Sequence, residues 1–158
     1  MQIDLRNFQK SDKELLKLWC KRIDAKQYMS DLHPSAIDQD YTEKREHFVW
    51  YVIQKDGKDV GTVWLEQLPD EMHVVKLGIM IGYEQELGKG IGRKAIELAT
   101  EKAKLTLDFN RIVLHVRQTN TRAIRCYLAC GFVIRKEFIK TNADGEIINA
   151  YRMEKQII

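Results

Sequence analysis

Cysteine is scarce in this chain, with three in 158 residues, and an odd number so thinly spread does not make the disulfide framework of a small secreted scaffold. None is needed, because a chain of this length buries roughly two thirds of its unfolded surface in one domain. Cys126 and Cys130 lie four apart in a segment of helical character, where they point the same way as small apolar residues, and burial in packing is the expected role. No Cys/His grouping has metal-ligand spacing, so no metal is expected. Long apolar runs are lacking too. The opening MQIDLRNFQK alternates polar and apolar where a signal peptide is continuously apolar, and no stretch approaches about 18 apolar residues, so a reduced, cytoplasmic setting away from membranes is expected. Charge of one sign is also missing. Twenty-six Lys and Arg are interleaved with 23 Asp and Glu, leaving no basic tract for nucleic acid. Without repeats, low-complexity tracts or linkers, one domain over 1–158 is expected.

What is present reads as strands and helices in mixed order. Gln2 to Arg6 alternates as a strand does, and Ser11 with Glu14 three residues on has the pattern of a capping box ahead of Leu15, Leu16, Leu18 and Trp19. From Asp24 to Glu46 the chain is polar, spotted with aromatics and weakly periodic, with a proline at 34. A loop with a short helix before His47 is expected there, placed to wall a substrate site. Phe48 to Ile53 is an almost continuous apolar run, Asp56-Gly57 is a strong hairpin turn, and Val60 to Leu68 is rich in β-branched and aromatic residues. After a second turn at Pro69-Asp70, Val74 to Ile81 completes an antiparallel meander. Ile91, Ala95, Leu98, Ala99 and Ala103 then recur at helical spacing, predicting a helix from about Lys89 to Thr106 with a small inner face. Ile112 to Val116 follows as a strand parallel to the third across a right-handed crossover. Thr119 to Cys130 reads as a shorter helix stopped by Gly131, and Phe132 to Ile139 with Ile147 to Met153 as a hairpin around Asp144-Gly145. The fold class is α/β, in the α+β sense.

The densest chemical signal runs from Ile79 to Arg93, where Gly88, Gly90 and Gly92 separate a strand end from a helix start. Glycines let the backbone turn tightly and approach a ligand, the first-turn N–H groups of a helix point outward, and the helix dipole favours negative charge there. Lys89 and Arg93 add positive side chains, so the segment is built as a phosphate cradle. By itself G-x-G-x-G also fits a turn and cap that bind nothing. The segment lacks the lysine-plus-hydroxyl ending of a P-loop, and it follows the third strand of a meander, not the first strand of a βαβ dinucleotide unit.

At these residues the sequence resembles the GNAT superfamily of N-acetyltransferases. The family pattern is Arg or Gln, two residues, Gly, one residue, Gly or Ala; here Leu87-Gly88-Lys89-Gly90-Ile91-Gly92 matches at both glycine positions and departs at the first, where Leu87 stands. A second block, Asn120 to Phe132 with Asn120, Ala123, Tyr127 and a closing Gly131-Phe132, looks like the family's later motif. The resemblance covers roughly residues 47 to 154. It implies a mixed, mostly antiparallel central sheet of six to seven strands flanked by helices, with splayed parallel strands at an acetyl-CoA site. Within the superfamily the segment looks most like the branch of ribosomal-protein N-terminal, polyamine and aminoglycoside acetyltransferases.

The resemblance also implies roles. The pantetheine arm pairs with backbone at Met80, Ile81 and Gly82; the pyrophosphate falls on Leu87, Gly88, Lys89, Gly90, Ile91, Gly92 and Arg93; Asn120 bonds the arm; and Tyr127 stands near the sulfur as general acid. Packing in the core is the alternative for Tyr127, and a solvated charge for Arg125, which otherwise reaches a CoA phosphate. Related enzymes often place a basic Glu on the strand leading to the glycine loop, where this chain has Lys76. Because an amine with a pKa near 10 attacks a thioester only when neutral, some group must take its proton. Glu66 on the preceding strand is the candidate base, against an exposed strand carboxylate or a water relay, with His73 behind it. A backbone N–H near Ile81 is the expected oxyanion donor. Asp38, Asp40, Glu43, Asp70 and Glu71 supply an acidic wall if the acceptor is a polycation, whereas a peptide acceptor would pair with backbone beside the splay. The expected partners are acetyl-CoA and an amine, for a monomer or homodimer. A non-catalytic acyl-CoA sensor, kept open by Lys76, and a nucleotide-binding module of another fold are the alternatives.

Overall fold

The computed structural model describes residues 1–23, 32–35, 47–142 and 144–157. The strands are β1 (Ile3–Asn7), β2 (Phe48–Lys55), β3 (Lys58–Gln67), β4 (Val74–Ile81), β5 (Arg111–Arg117), β6 (Val133–Thr141) and β7 (Ile147–Gln156), and the helices α1 (Lys13–Arg22), α2 (Ile91–Ala103) and α3 (Thr121–Ala129). They form a seven-stranded sheet in the order β1-β2-β3-β4-β5-β7-β6. β4 and β5 are parallel and the other neighbours antiparallel. The Asp56-Gly57 turn behaves as its sequence demands, with φ of 49° and 81°, the pair of positive values that matches a hairpin to strand twist. The last hairpin holds a feature that local sequence does not specify, because β7 inserts between β5 and β6.

The sheet buries two faces. Under α2, Ala95, Ala99 and Ala103 bring the helix close to Val63, Leu65, Val75 and Leu114. On the other face Phe8, Trp19, Trp50, Trp64 and Met80 form a second core beneath α1. Phe8 stacks on Trp50 at 3.6 Å between centroids, and the Trp50 Nε1–H donates to Thr62 Oγ1, which donates on to the Tyr51 carbonyl. The indole and hydroxyl are therefore paired inside an apolar layer, as buried polar groups require. Gly78 and Gly82 lie where Trp64 and Trp19 cross β4, and a Cβ at either position would overlap the indole.

Two boundaries differ from the sequence expectation. The Ser11/Glu14 capping box is replaced by a pair two residues earlier, where the Gln9 N–H donates to Asp12 Oδ2 and the Asp12 N–H to the Gln9 carbonyl. Asp12 is drawn there by Arg6, whose guanidinium reaches both its oxygens at 2.9 Å and also bonds Asp59. α2 begins at Ile91 instead of Lys89, because Gly88 and Gly90 are left-handed at φ of 76° and 82° and cannot extend a right-handed helix. The short helix expected before His47, with Asp38, Asp40 and Glu43, lies outside the described residues.

Candidate active site

The parallel pair comes apart within the sheet. β4 and β5 pair from Val74 opposite Arg111 to Lys76 opposite Val113 and no further. β4 stays on β3 as far as Ile81, and β5 stays on β7 as far as Arg117, so a wedge opens between them. In an antiparallel ladder alternate residues turn their backbone to the partner. The Leu68 N–H donates to the Val74 carbonyl and the Gly82 N–H to the Val60 carbonyl, so the even-numbered residues of β4 serve β3. Leu77, Ile79 and Ile81 therefore aim their N–H and C=O groups at the wedge. Sequence reasoning placed that backbone at Met80, Ile81 and Gly82. Of these, Ile81 turns its backbone to the wedge, as Ile79 also does; Met80 lines the cavity while its side chain packs at 3 % exposure among the tryptophans, and the Gly82 N–H bonds the Val60 carbonyl where an added Cβ would overlap Trp19. The sequence signal for Ile79 was parity along the strand, legible once one β3–β4 bond is known.

The wedge opens into a cavity of about 1150 Å³. One end is the glycine loop: Leu87, Gly88, Gly90, Ile91, Gly92 and Arg93 line it. At Gly88 and Gly90 an added Cβ would meet nothing within 4 Å, so these glycines answer to positive φ and the space beyond them is open. The Lys94 N–H closes the first helical turn on the Gly90 carbonyl, leaving the amides before it pointing outward. Among the described residues Lys89 is not on the wall; it lies 3.7 Å from Glu86, whose carboxylate also takes a 2.7 Å bond from Lys55 on β2. That bond holds Glu86 below the usual carboxylate range.

The side wall is α3. Asn120 caps it by accepting from the Ala123 N–H at 3.3 Å, a task the sequence reading had not given it, and it also faces the cavity. At the other end the Phe132 N–H bonds the Tyr127 carbonyl and the Gly131 N–H the Leu128 carbonyl, with Gly131 at φ of 94°, which is a Schellman cap. The cap brings Phe132 edge-on to the Tyr127 ring, 6.0 Å between centroids, and Tyr127 lines the cavity. Burial, and then the fields of Cys126 and Cys130, push the Tyr127 phenol above its ordinary value, so it stays protonated at neutral pH. Cys130 is buried in the core, while Cys126 is partly buried, packs against that core and also touches the cavity.

The far end is made of Trp64, Glu66, Lys76, His115, Arg117 and Lys140. Glu66 is only 7 % exposed, so it is not a solvated strand carboxylate. It pairs across the strands with Lys76 and accepts from the N–H and hydroxyl of Ser35. His115 was missed by sequence reasoning; its alternation with Val113 and Arg117 on β5 was the available signal. Three expected acceptor residues are not among the described lining: His73 pairs with Asp108 at 3.1 Å, Glu71 is held bidentately by Arg152, and Asp70 sits in the exposed turn before β4.

The family model of the acetyltransferase (GNAT) domain matches residues 2–133. The chain belongs to the GNAT acetyltransferase family. Among GNAT relatives it is 29 % identical over 126 residues to the spermidine N(1)-acetyltransferase of Escherichia coli, covering 79 % of this chain and 64 % of that protein. It thus spans under two thirds of that relative's length. It is 30 % identical over 122 residues to the N-alpha-acetyltransferase of Sulfurisphaera tokodaii, covering 70 % of each. A solved GNAT structure, the spermidine N-acetyltransferase from Vibrio cholerae in complex with CoA and spermine, has the same fold with a TM-score of 0.78 at 22 % identity, over 98 % of this chain and 95 % of that one. Among the described residues no helix of this GNAT chain is long and apolar enough to cross a membrane.

Proposed function

We propose that residues 1–158 are one acetyltransferase domain that moves an acetyl group from acetyl-CoA directly to a primary amine, on a small molecule or a peptide N-terminus. The observation that carries this reading is the cavity joining a left-handed glycine loop, a splayed strand edge and a partly buried, protonated tyrosine. In it the pyrophosphate lies on the amides of Leu87 to Gly92, with Arg93 beside it, and Lys89 at the rim. The pantetheine arm pairs with Ile79 and Ile81, and Asn120 turns its amide to the same arm. The amine nitrogen attacks the thioester carbonyl, and an inward amide of β4 meets the developing oxyanion. As the C–S bond breaks, the Tyr127 hydroxyl gives its proton to the thiolate, and Glu66 at the acceptor end takes the proton released by the amine. The setting is cytoplasmic and the enzyme a monomer or homodimer that uses neither nucleic acid nor membrane.

The relatives put spermidine and peptide N-termini first among acceptors to try. Calorimetric titration with acetyl-CoA, followed by a free-thiol assay against polyamines, aminoglycosides, amino acids and N-terminal peptides, tests the proposal. Binding with acceptor-dependent thiol release is expected. Binding without release from any acceptor would favour the sensor alternative, to which Lys76 at the usual place of a basic Glu points, and no binding would overturn the reading.

A further inference from the structure

Ser35 ties the stretch before β2 to the acceptor end of the cavity. Ser35 donates its N–H to both oxygens of Glu66, at 3.0 and 2.9 Å, and its hydroxyl to Oε1 at 3.0 Å. Around it the chain is anchored: Leu32 packs against the tryptophan core, Pro34 is buried, and the His33 ring bonds the Pro34 carbonyl at 2.9 Å. Glutamate has three rotatable bonds and, alone on a strand, sweeps its carboxylate through several rotamers. An N–H shared between both oxygens together with a hydroxyl on one of them fixes the carboxylate plane as well as its position. The donors come from a segment far from β3 in sequence, so this part of the orientation is imposed from outside the sheet.

We infer that Ser35 is a positioning residue for the acceptor half of the reaction, holding the Glu66 carboxylate in the orientation in which it receives the amine. The inference rests on the acetyltransferase reading and on Glu66 as its acceptor-side carboxylate. It gives Ser35 a specific job at the site, exercised through Glu66.

The test compares wild type, Ser35→Ala, Ser35→Thr, Glu66→Gln and the Ser35→Ala/Glu66→Gln pair, using an amine that the wild type acetylates. For Ser35→Ala, kcat/KM for the amine should fall about tenfold, in the range of a lost positioning contact, while the Kd for acetyl-CoA, the control for folding, stays within about twofold. Ser35→Thr keeps both donors and should restore activity, and in the Glu66→Gln background Ser35→Ala should cost nothing more. A full Glu66→Gln loss with an unchanged Ser35→Ala kcat/KM would overturn the inference alone, as would a further loss in the double variant. An unaffected Glu66→Gln would remove the acceptor role of Glu66 and this inference with it. A wild type that binds acetyl-CoA but acetylates nothing would overturn the acetyltransferase reading itself.

Discussion

The glycine-loop end of the cavity is lined largely by backbone held in left-handed turns, whereas the β3 end is lined by side chains, Trp64, Glu66, Lys76 and His115 among them. In the proposed reading the backbone amides meet a feature common to all CoA esters, the pyrophosphate, and their geometry follows from φ. The side chains of the other end would then meet what varies, the acceptor, and their geometry follows from partners distant in sequence, such as Ser35 for Glu66. One end is thus set by a few glycines in one short segment and the other by at least three elements together.

The sharpest way to break this contrast is at Gly90. A glutamate there takes on a left-handed φ at a cost of about 1–2 kcal/mol and places a negative charge where the pyrophosphate is expected. Acetyl-CoA affinity measured by calorimetry should fall roughly a hundredfold or more, the fixed positive end of α2 now facing a built-in anion. Unaltered affinity would mean that the loop is a turn and cap only. At the junction of the two ends, Tyr127→Phe should lower kcat by about a hundredfold, the usual scale for a lost general acid, with acetyl-CoA affinity unchanged. The raised phenol value sets the sign of its pH dependence: the acid form persists through the ordinary tyrosine range near 10, so the alkaline limb due to Tyr127 lies above that. A limb below pH 9 that vanishes in Tyr127→Phe would contradict the burial. Beneath α1, Gly82→Ala drives a methyl group into the Trp19 indole and should destabilise the fold by about 1–3 kcal/mol, as overpacking does, read as a lower thermal midpoint. An unchanged midpoint would mean that α1 yields freely.

The same contrast explains what was legible in the sequence. The meander, the crossover and both helices under the motifs follow from periodicity and turn residues, which are local. The glycine loop and the Gly131-Phe132 stop were legible because positive φ leaves glycine as its signature. The insertion of β7 between β5 and β6 was not, since strand order depends on long-range pairing that neither strand encodes alone. Gly82 was assigned to the cosubstrate edge through the family resemblance of the strand before the glycine loop, which gives no reason for the glycine itself. Its reason is Trp19, some sixty positions away and visible only in three dimensions. The Ser11/Glu14 capping pattern misled in the same manner, because Asp12, held by Arg6 on β1, takes the cap in its place.

The smallest expected effect lies just outside the glycine loop. Glu86 is an acid at the phosphate end, out of place beside a dianion unless its charge is compensated. Lys55 supplies that compensation from β2 at 2.7 Å and ties the turn at Glu84–Glu86 to the sheet. Lys55→Met should therefore weaken acetyl-CoA several-fold, on the order of three to ten, as expected for a partly exposed pair screened by solvent. The loss should shrink in the Lys55→Met/Glu86→Gln double variant, because removing the acid removes the need for its partner. The pH dependence has a definite sign. Lys55 depresses the Glu86 value, so the tether is complete above the ordinary carboxylate range near 4.3 and is lost only as pH falls through the lower folded value. In Lys55→Met that acid transition should move upward toward the ordinary range. If the single variant binds acetyl-CoA as well as wild type, the compensation comes from Lys89 at 3.7 Å instead, and Lys89→Met should then show the loss.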